Sequence, residues 1–427
     1  MITPEYLNDV VKGTRAKVAE IDAYLIGRIA KRIGDLFDYD GTVKLIPSSI
    51  KDLHKLMDQG ALIKDIENEL VKLMPELEEE IKQAFKDASQ EIAKGTHEYT
   101  NTLITAVNKD GANIEPLIPL NIREGMPLDK MGLTSVEIRY LENAFKQTKG
   151  TIKNMTRTTA LQANNIYLSE CDNAYMKIKA GVSPNTAICE AIESMSKSGV
   201  SVIDYASGAK ANAETALTRA VRTGVNKANG EVILTRAAEL GVNYVYVSQH
   251  LGARVTNTDD YKNHSKWQGK VYELDYSEDV LRSFREDAEK GASEYAQLKA
   301  VRDVLKSKQG KYPSFVKECG YGQLLGICGV NCRHTFSMFV PGINKEPEPI
   351  DEAENKARYQ AEQKARAMER DIRHTMRQIE GYKAVNNDEA KKRLKKAQKR
   401  LTDQNEAYME FCKQNKITAE NWRRRIV

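Results

Sequence analysis

Apolar residues recur at helical spacing from the first turn of the chain. After Thr3-Pro4, an N-cap and first-turn pair, Leu7, Val10, Val11, Val18, Ile21, Leu25, Ile29, Ile33 and Leu36 mark one stripe. They predict an amphipathic helix of about nine turns, ended by Asp38 to Gly41. Pro47-Ser48 opens a short helix. Ile63, Ile66, Leu70, Leu73, Leu77, Ile81 and Phe85 then mark another from Ala61 to Ala93, kinked or divided at Pro75. From Gly95 to Gly132 the period lapses, and Asp110-Gly111, Pro116, Pro119 and Pro127 predict a long irregular connection.

Thr134 and Glu137 form a capping box for a helix that runs to Lys179 and stops at Gly181. Ser183-Pro184 starts the next, which Gly199 ends, and Val200 to Tyr205 is a short strand or extended segment. A helix from Lys210 breaks at Asn229-Gly230 and is followed by a second one ending at Gly241. The β-branched and aromatic run Val242 to Ser248 is the clearest strand. With Lys270 to Leu274 and Thr335 to Val340 it predicts a small antiparallel sheet anchored by Trp267, and Glu278 to Leu305 is an inserted helical excursion.

Beyond Pro347-Glu348-Pro349 the pattern becomes charged. Glu352 with Lys356, Glu354 with Arg358, Glu362 with Arg366 and Glu369 with Arg373 are i,i+4 pairs, which suit a helix standing largely in water. Glu380-Gly381 is its predicted break. A last helix, capped by Asn387 or Asp388, carries Leu394, Ala397, Leu401, Tyr408 and Phe411 near heptad spacing. The fold class is therefore α+β and predominantly helical. A helical region over 1–132 precedes a compact mixed core over 133–345, with an insertion at 277–309, and a charged helical tail over 346–427.

Composition sharpens this picture only in places. The chain has 427 residues, 29% of them charged and 7% aromatic, which suits helices packing on narrow stripes and leaves room for several cores. No run of about eighteen apolar residues and no basic-then-apolar start is present, so no membrane partner is expected, and a cytosol-like site of synthesis is. Six cysteines scattered through such a chain are expected to be reduced. A net charge of +5 gives no overall nucleic-acid footprint.

Candidate chemistry gathers in two places. Cys328-x3-Cys332-x-His334, with His250 and His264, offers thiolate and imidazole, the zinc-binding set. The spacing lacks a Cys-x2-Cys knuckle, so the expectation is buried thiols and hydrogen-bonded histidines holding a loop-rich sheet, with no metal and no cofactor. A Cys332 nucleophile with His250, His264 or His334 as base would need a depressed thiol pKa, to which Arg333 could contribute. Gly320-Tyr321-Gly322 and Gly326-Ile327-Cys328-Gly329 match no nucleotide-binding pattern and are expected to be turns. Arg236, Arg254, Lys270 and Arg333 could together face an anion. The second place is the tail, where Lys391, Lys392, Arg393, Lys395, Lys396, Lys399 and Arg400, then Arg423, Arg424 and Arg425, are candidates for contact with nucleic acid or a protein partner. A solvated helix face is the rival reading.

Six ordered segments resemble a known family: Val202-Ile203-Asp204-Tyr205 with Ser207-Gly208, Arg219 to Asn226, Ser248 to Arg254, Trp267-Gln268-Gly269-Lys270-Val271-Tyr272, Gly320-Tyr321-Gly322, and Gly329-Val330-Asn331-Cys332-Arg333-His334. In order, they are similar to the phage minor capsid protein 2 family, relatives of the Mu F-like head morphogenesis proteins of tailed bacteriophages. The likeness is best over Leu133 to Pro341. It implies a non-enzymatic virion protein inside the head near the portal, with portal protein, inner capsid surface and packaged double-stranded DNA as partners, and it implies no catalytic residues. The family passes from the Trp-Gln-Gly-Lys strand to Tyr312-Pro313-Ser314 by a short loop, where this chain inserts Ser277 to Gln309. Some relatives end in a toxin domain. Mu F-like relatives carry a Cys/His pattern, for which this chain offers His250 and His264 at the first position.

Overall fold

A computed structural model describes residues 2–37, 49–57, 59–110, 133, 135–197, 199–204, 210–239, 242–274 and 312–424. The described elements are, in order, α1 (Pro4–Asp9), α2 (Lys12–Phe37), α3 (Ile50–Leu56), α4 (Gln59–Asp110), α5 (Ser135–Lys179), α6 (Pro184–Ser196), β1 (Val202–Asp204) and β2 (Lys210–Asn212). Then come α7 (Ala213–Glu239), β3 (Tyr244–Val247), α8 (His264–Trp267), β4 (Val271–Glu273), α9 (Phe315–Cys319), β5 (Phe336–Phe339), α10 (Glu352–Lys383), α11 (Asp388–Gln414) and a 3-10 turn at Asn421–Arg423. The predominantly helical α+β class holds.

Several boundaries differ from the sequence pattern. The first helix is two, α1 and α2, parted at Val10–Val11, a β-branched pair followed by Gly13 where helix propensity is weakest. In the other direction, α4 passes through Pro75 and continues beyond Gly95 to Asp110. α7 runs through Asn229-Gly230 without a break. A Cβ at Gly230 would meet the Phe336 ring and Cys328 Sγ at 3.3–3.4 Å, so this glycine serves close packing and not a stop. Gly381 likewise lies within α10, where a Cβ would collide with Ile192. The predicted connection beyond 110, Thr134 of the capping box, Ser207-Gly208, the 277–309 insertion and Arg425 lie outside the described residues.

The chain divides into two compact units. The first comprises Met1–Val11, Ile81–Thr148 and Arg219–Gln360. It contains the predicted sheet, in the order β4-β3-β5 and antiparallel throughout. Val245 stands opposite both Tyr272 and Met338. Val245, Val247, Phe336 and Met338 are buried, and Phe315 meets Phe336 edge to face at 4.8 Å. Glu137, a member of the predicted capping box, takes the Arg236 guanidinium with both carboxylate oxygens, at 2.5 and 2.8 Å, fully out of water. Tyr321 donates to Glu231 at 2.9 Å in the same core.

The second unit comprises Lys12–Glu80, Lys149–Thr218 and Ala361–Val427. Its apolar centre is the α2 stripe of Val18, Ile21, Leu25, Ile29 and Ile33, packed against α6. Gly34 lets Val385 approach, since a Cβ there would lie 3.4 Å from both its methyls. Within this core Asp22 accepts from the Val200 and Ser201 amides (2.8 and 2.9 Å), the Ser201 hydroxyl (2.8 Å) and Arg377 Nε (2.7 Å). The tail is thus not a helix standing in water: α10 buries Ala365, Ile372, Ile379 and Tyr382. Of its i,i+4 pairs, Glu362 and Arg366 meet at 3.3 Å, whereas Arg373 turns to Glu214.

Removing one partner of a buried ion pair leaves the other charged and unsolvated, at a cost of about 3–5 kcal/mol. Asp22→Ala should lower the stability of the second unit by that amount, read as a shift in urea midpoint by circular dichroism. Asp22→Asn, which keeps the acceptor oxygen for Val200 and Ser201, should lose less.

Candidate functional site

The sheet of the first unit gathers His250, His264 and His334. β5 is extended at its start by reciprocal bonds of 2.9 Å, Ser248 N to Thr335 O and Thr335 N to Ser248 Oγ. Cys332 and His334 enter along this lead-in, two residues apart, the spacing that puts side chains on one face of an extended chain. Opposite them the loop over 252–263 is tied by Asn263, whose amide donates to Thr256 O (3.2 Å) and Thr258 O (3.4 Å). That loop delivers the one-turn helix α8, which buries His264 and Trp267.

Three rings cluster around His334. His250 stacks on it at 4.4 Å, Trp267 meets it edge-on at 4.7 Å and His264 at 5.2 Å. His264, Cys332 and His334 each place one ligand-capable atom within 4.8 Å of the other two, and all are at most 2% exposed. Of the five metal candidates, these three converge. Cys328 instead donates to Asn226 Oδ1 at 3.6 Å, and the His250 ring turns Nδ1 toward Leu251 O at 3.0 Å.

Hydrogen bonding assigns the ring protons. His334 Nε2 lies 3.1 Å from Gln268 Oε1, an oxygen that also accepts from the His250 amide at 3.0 Å, so Nε2 carries the proton and Nδ1 the lone pair. His264 Nε2 donates to Leu325 O at 2.9 Å, which again leaves Nδ1 as the acceptor. Arg254 donates to that same carbonyl at 3.1 Å and to Val330 O at 2.7 Å, which places its Nη1 3.3 Å from His264 Nε2. Burial and the Arg254 charge hold His264 down to about 3, and burial with the neighbouring cationic groups holds His334 well below its usual value. Both rings are neutral at physiological pH.

The Gly-rich segment is the mould for this arrangement. Gly320 caps α9 in the left-handed region against the Tyr261 ring, and a Cβ at Gly326 or Gly329 would strike backbone oxygens. Two non-glycine residues, Cys328 (φ 57°) and Asn331 (φ 59°), also adopt left-handed backbone here. Such strain persists only where the surroundings fix it. Turns are what these glycines make, as their spacing implied.

Chemically, the cluster does not favour thiolate attack. Cys332 Sγ is 3.7 Å from His334 Nδ1, but burial pushes its thiol up to about 11, the opposite of an activated nucleophile. Nor do the basic residues converge on an anion, since Arg236 is paired with Glu137 and Arg254 is bonded to carbonyls. Two polar residues that organise the site escaped the sequence reading. Asn226, fully buried, donates to His334 O at 3.0 Å and Cys332 O at 3.4 Å, and Gln268 bridges His250 and His334. Asn226 is a polar residue off the Val221, Val225 and Val232 stripe, in a stretch of α7 that is buried on several faces, so periodicity gave no signal for it.

The basic tail separates into two classes. Arg393 pairs with Glu193 (2.8 Å) and Glu389 (2.7 Å), and Arg400 donates to Gln378. Arg423 lies 4.0 Å from Glu369, while Arg424 donates to Asn405 and covers the Tyr408 ring. Arg393, Arg423 and Arg424 are turned to the second unit's own core, and Arg400, though exposed, is held by a side chain of α10. Lys391, Lys392, Lys395, Lys396 and Lys399 are exposed along α11.

Loss of Asn226 would strip buried carbonyls of their donor, worth about 1–3 kcal/mol. Asn226→Ala should therefore lower the thermal midpoint of the full chain. Lys227→Ala, its neighbour on α7, should leave the midpoint within error.

Comparison with known proteins bears on the whole chain. No curated protein and no solved structure matches it significantly. Residues 2–413 match the family described as phage minor capsid protein 2. A match from the first helix to the end of the last takes in both units, the histidine cluster and the lysine face. The chain belongs to the phage minor capsid protein 2 family and is a structural protein of the phage virion.

Proposed function

We propose that the protein is a non-enzymatic minor component of the head interior, docked on the portal or the inner capsid surface and acting in head assembly. The observation that carries this reading is the family match over 2–413. The physical character of the chain agrees with it: long helices such as the 52-residue α4 provide extended surface for protein contact. Among the described residues no helix is long and apolar enough to cross a membrane. Cross-linking mass spectrometry on purified particles tests the proposal. Cross-links from this chain to portal or major capsid subunits are expected in both DNA-filled and emptied heads, and a protein absent from mature particles would refute it.

A second reading, contact with packaged DNA, is favoured by one observation. Five exposed lysines share one helix, with like charges at i,i+4 (Lys391 with Lys395, Lys392 with Lys396, Lys395 with Lys399) that disfavour the isolated helix. Phosphates would neutralise them without sequence readout. If all five engaged, the logarithm of affinity for random duplex should fall against the logarithm of salt with a slope of about −4 to −5. Replacing the five lysines by glutamine in the full chain should abolish most of that slope. Absence of duplex binding by the wild type at low salt would leave the lysines as a solvated or protein-docking face.

A further inference from the structure

We propose that His264, Cys332 and His334 form a structural site for a zinc-class divalent ion, contrary to the expectation from cysteine spacing. The three side chains come from separate segments that the sheet brings together, so spacing along the chain does not describe them. His264 arrives on α8, while Cys332 and His334 arrive on the lead-in to β5.

The geometry suits such an ion in two respects. A tetrahedral zinc, with bonds of about 2.3 Å to sulfur and about 2.0–2.1 Å to nitrogen, separates the two ligand atoms by about 3.6 Å. Cys332 Sγ and His334 Nδ1 are 3.7 Å apart, and the third ligand atom is within 4.8 Å of both. Next, each imidazole has its Nε2 proton engaged by an oxygen, Gln268 Oε1 for His334 and Leu325 O for His264. That outer-shell arrangement fixes the tautomer with a lone pair on Nδ1 and strengthens it as a ligand.

Binding would displace the Cys332 proton to solvent, so one thiolate and two neutral imidazoles face the cation, and affinity falls as pH is lowered. The Arg254 guanidinium, 3.3 Å from His264 Nε2, opposes the cation and is held in place by two carbonyls. Burial of all three ligands at 1–2% exposure leaves no path for a substrate. The ion's role is to fasten α8 to the closing strand, in a region whose short strands supply few ladder bonds.

A thiol-to-imidazole hydrogen bond gives a similar separation without any ion, and experiment distinguishes the two. The full chain, purified under reductant without added metal, should contain about one zinc per chain by elemental analysis. After chelation it should bind cobalt(II) with a sulfur-to-metal charge-transfer band, the mark of thiolate ligation. Zinc returned to the chelated protein should raise its thermal midpoint. The Cys332→Ser/His334→Gln double variant should lose the zinc at least about tenfold and show no such rise, whereas Cys412→Ser, altering a buried thiol of the other unit, should keep both. Because the cobalt spectrum is read on the wild type, a variant that fails to fold does not rescue the proposal. Wild-type protein that holds no zinc and gives no sulfur-to-cobalt band would overturn it, as would undiminished zinc in a folded double variant.

Discussion

Asp22 accepts four hydrogen bonds at once inside a helical core, from two backbone amides, a hydroxyl and a guanidinium. The physical demand behind it is general: a buried backbone N–H outside regular structure needs an acceptor, and an ionised carboxylate needs a full set of donors. The chain satisfies both demands with one residue. It thereby fixes the turn after α6 and the middle of α10 to α2, in one unit assembled from three sequence segments. Gly199 belongs to the same device, since its φ of +76° and missing Cβ allow the turn to close on the carboxylate.

The sheet-bearing unit meets the same demand with neutral amides. Its strands are three or four residues long, so much of the backbone between Gly320 and Thr335 has no ladder partner. Asn226 and Arg254 cap carbonyls of that connection, and Gln268 supplies an acceptor between two histidines. Aromatic rings then fill the space beneath. Trp267 donates from Nε1 to Tyr261 O at 2.9 Å, which satisfies its one polar atom inside the core.

Arginine and lysine have divided roles in the charged tail. A planar guanidinium holds two acceptors in fixed geometry and tolerates partial burial, which suits Arg377 on Asp22 and Arg393 between two glutamates. Lysine keeps its compact charge in water at the end of a flexible stem. The lysines of α11 accordingly stay outside, where a polyanion or an acidic protein surface could meet them. All six cysteines are free and buried, and Cys171, Cys189, Cys319 and Cys328 have their thiols pushed up by desolvation.

Local pattern determined the helices, the three strands of the sheet, and the family likeness, because period and β-branched content are written in consecutive residues. It also located the histidines and cysteines worth watching. Tertiary structure alone decided where glycine and proline stop a helix. Pro75, Gly95, Gly230 and Gly381 are all carried within helices, because packing outweighs a propensity penalty of about 1–3 kcal/mol. It alone decided which arginines are paired, since Glu137, Glu193 and Asp22 are remote in sequence from Arg236, Arg393 and Arg377. The convergence of His264 on Cys332 and His334 belongs to the same class. A site whose parts lie on different segments has no spacing to read, and it exists only once antiparallel pairing has set the register.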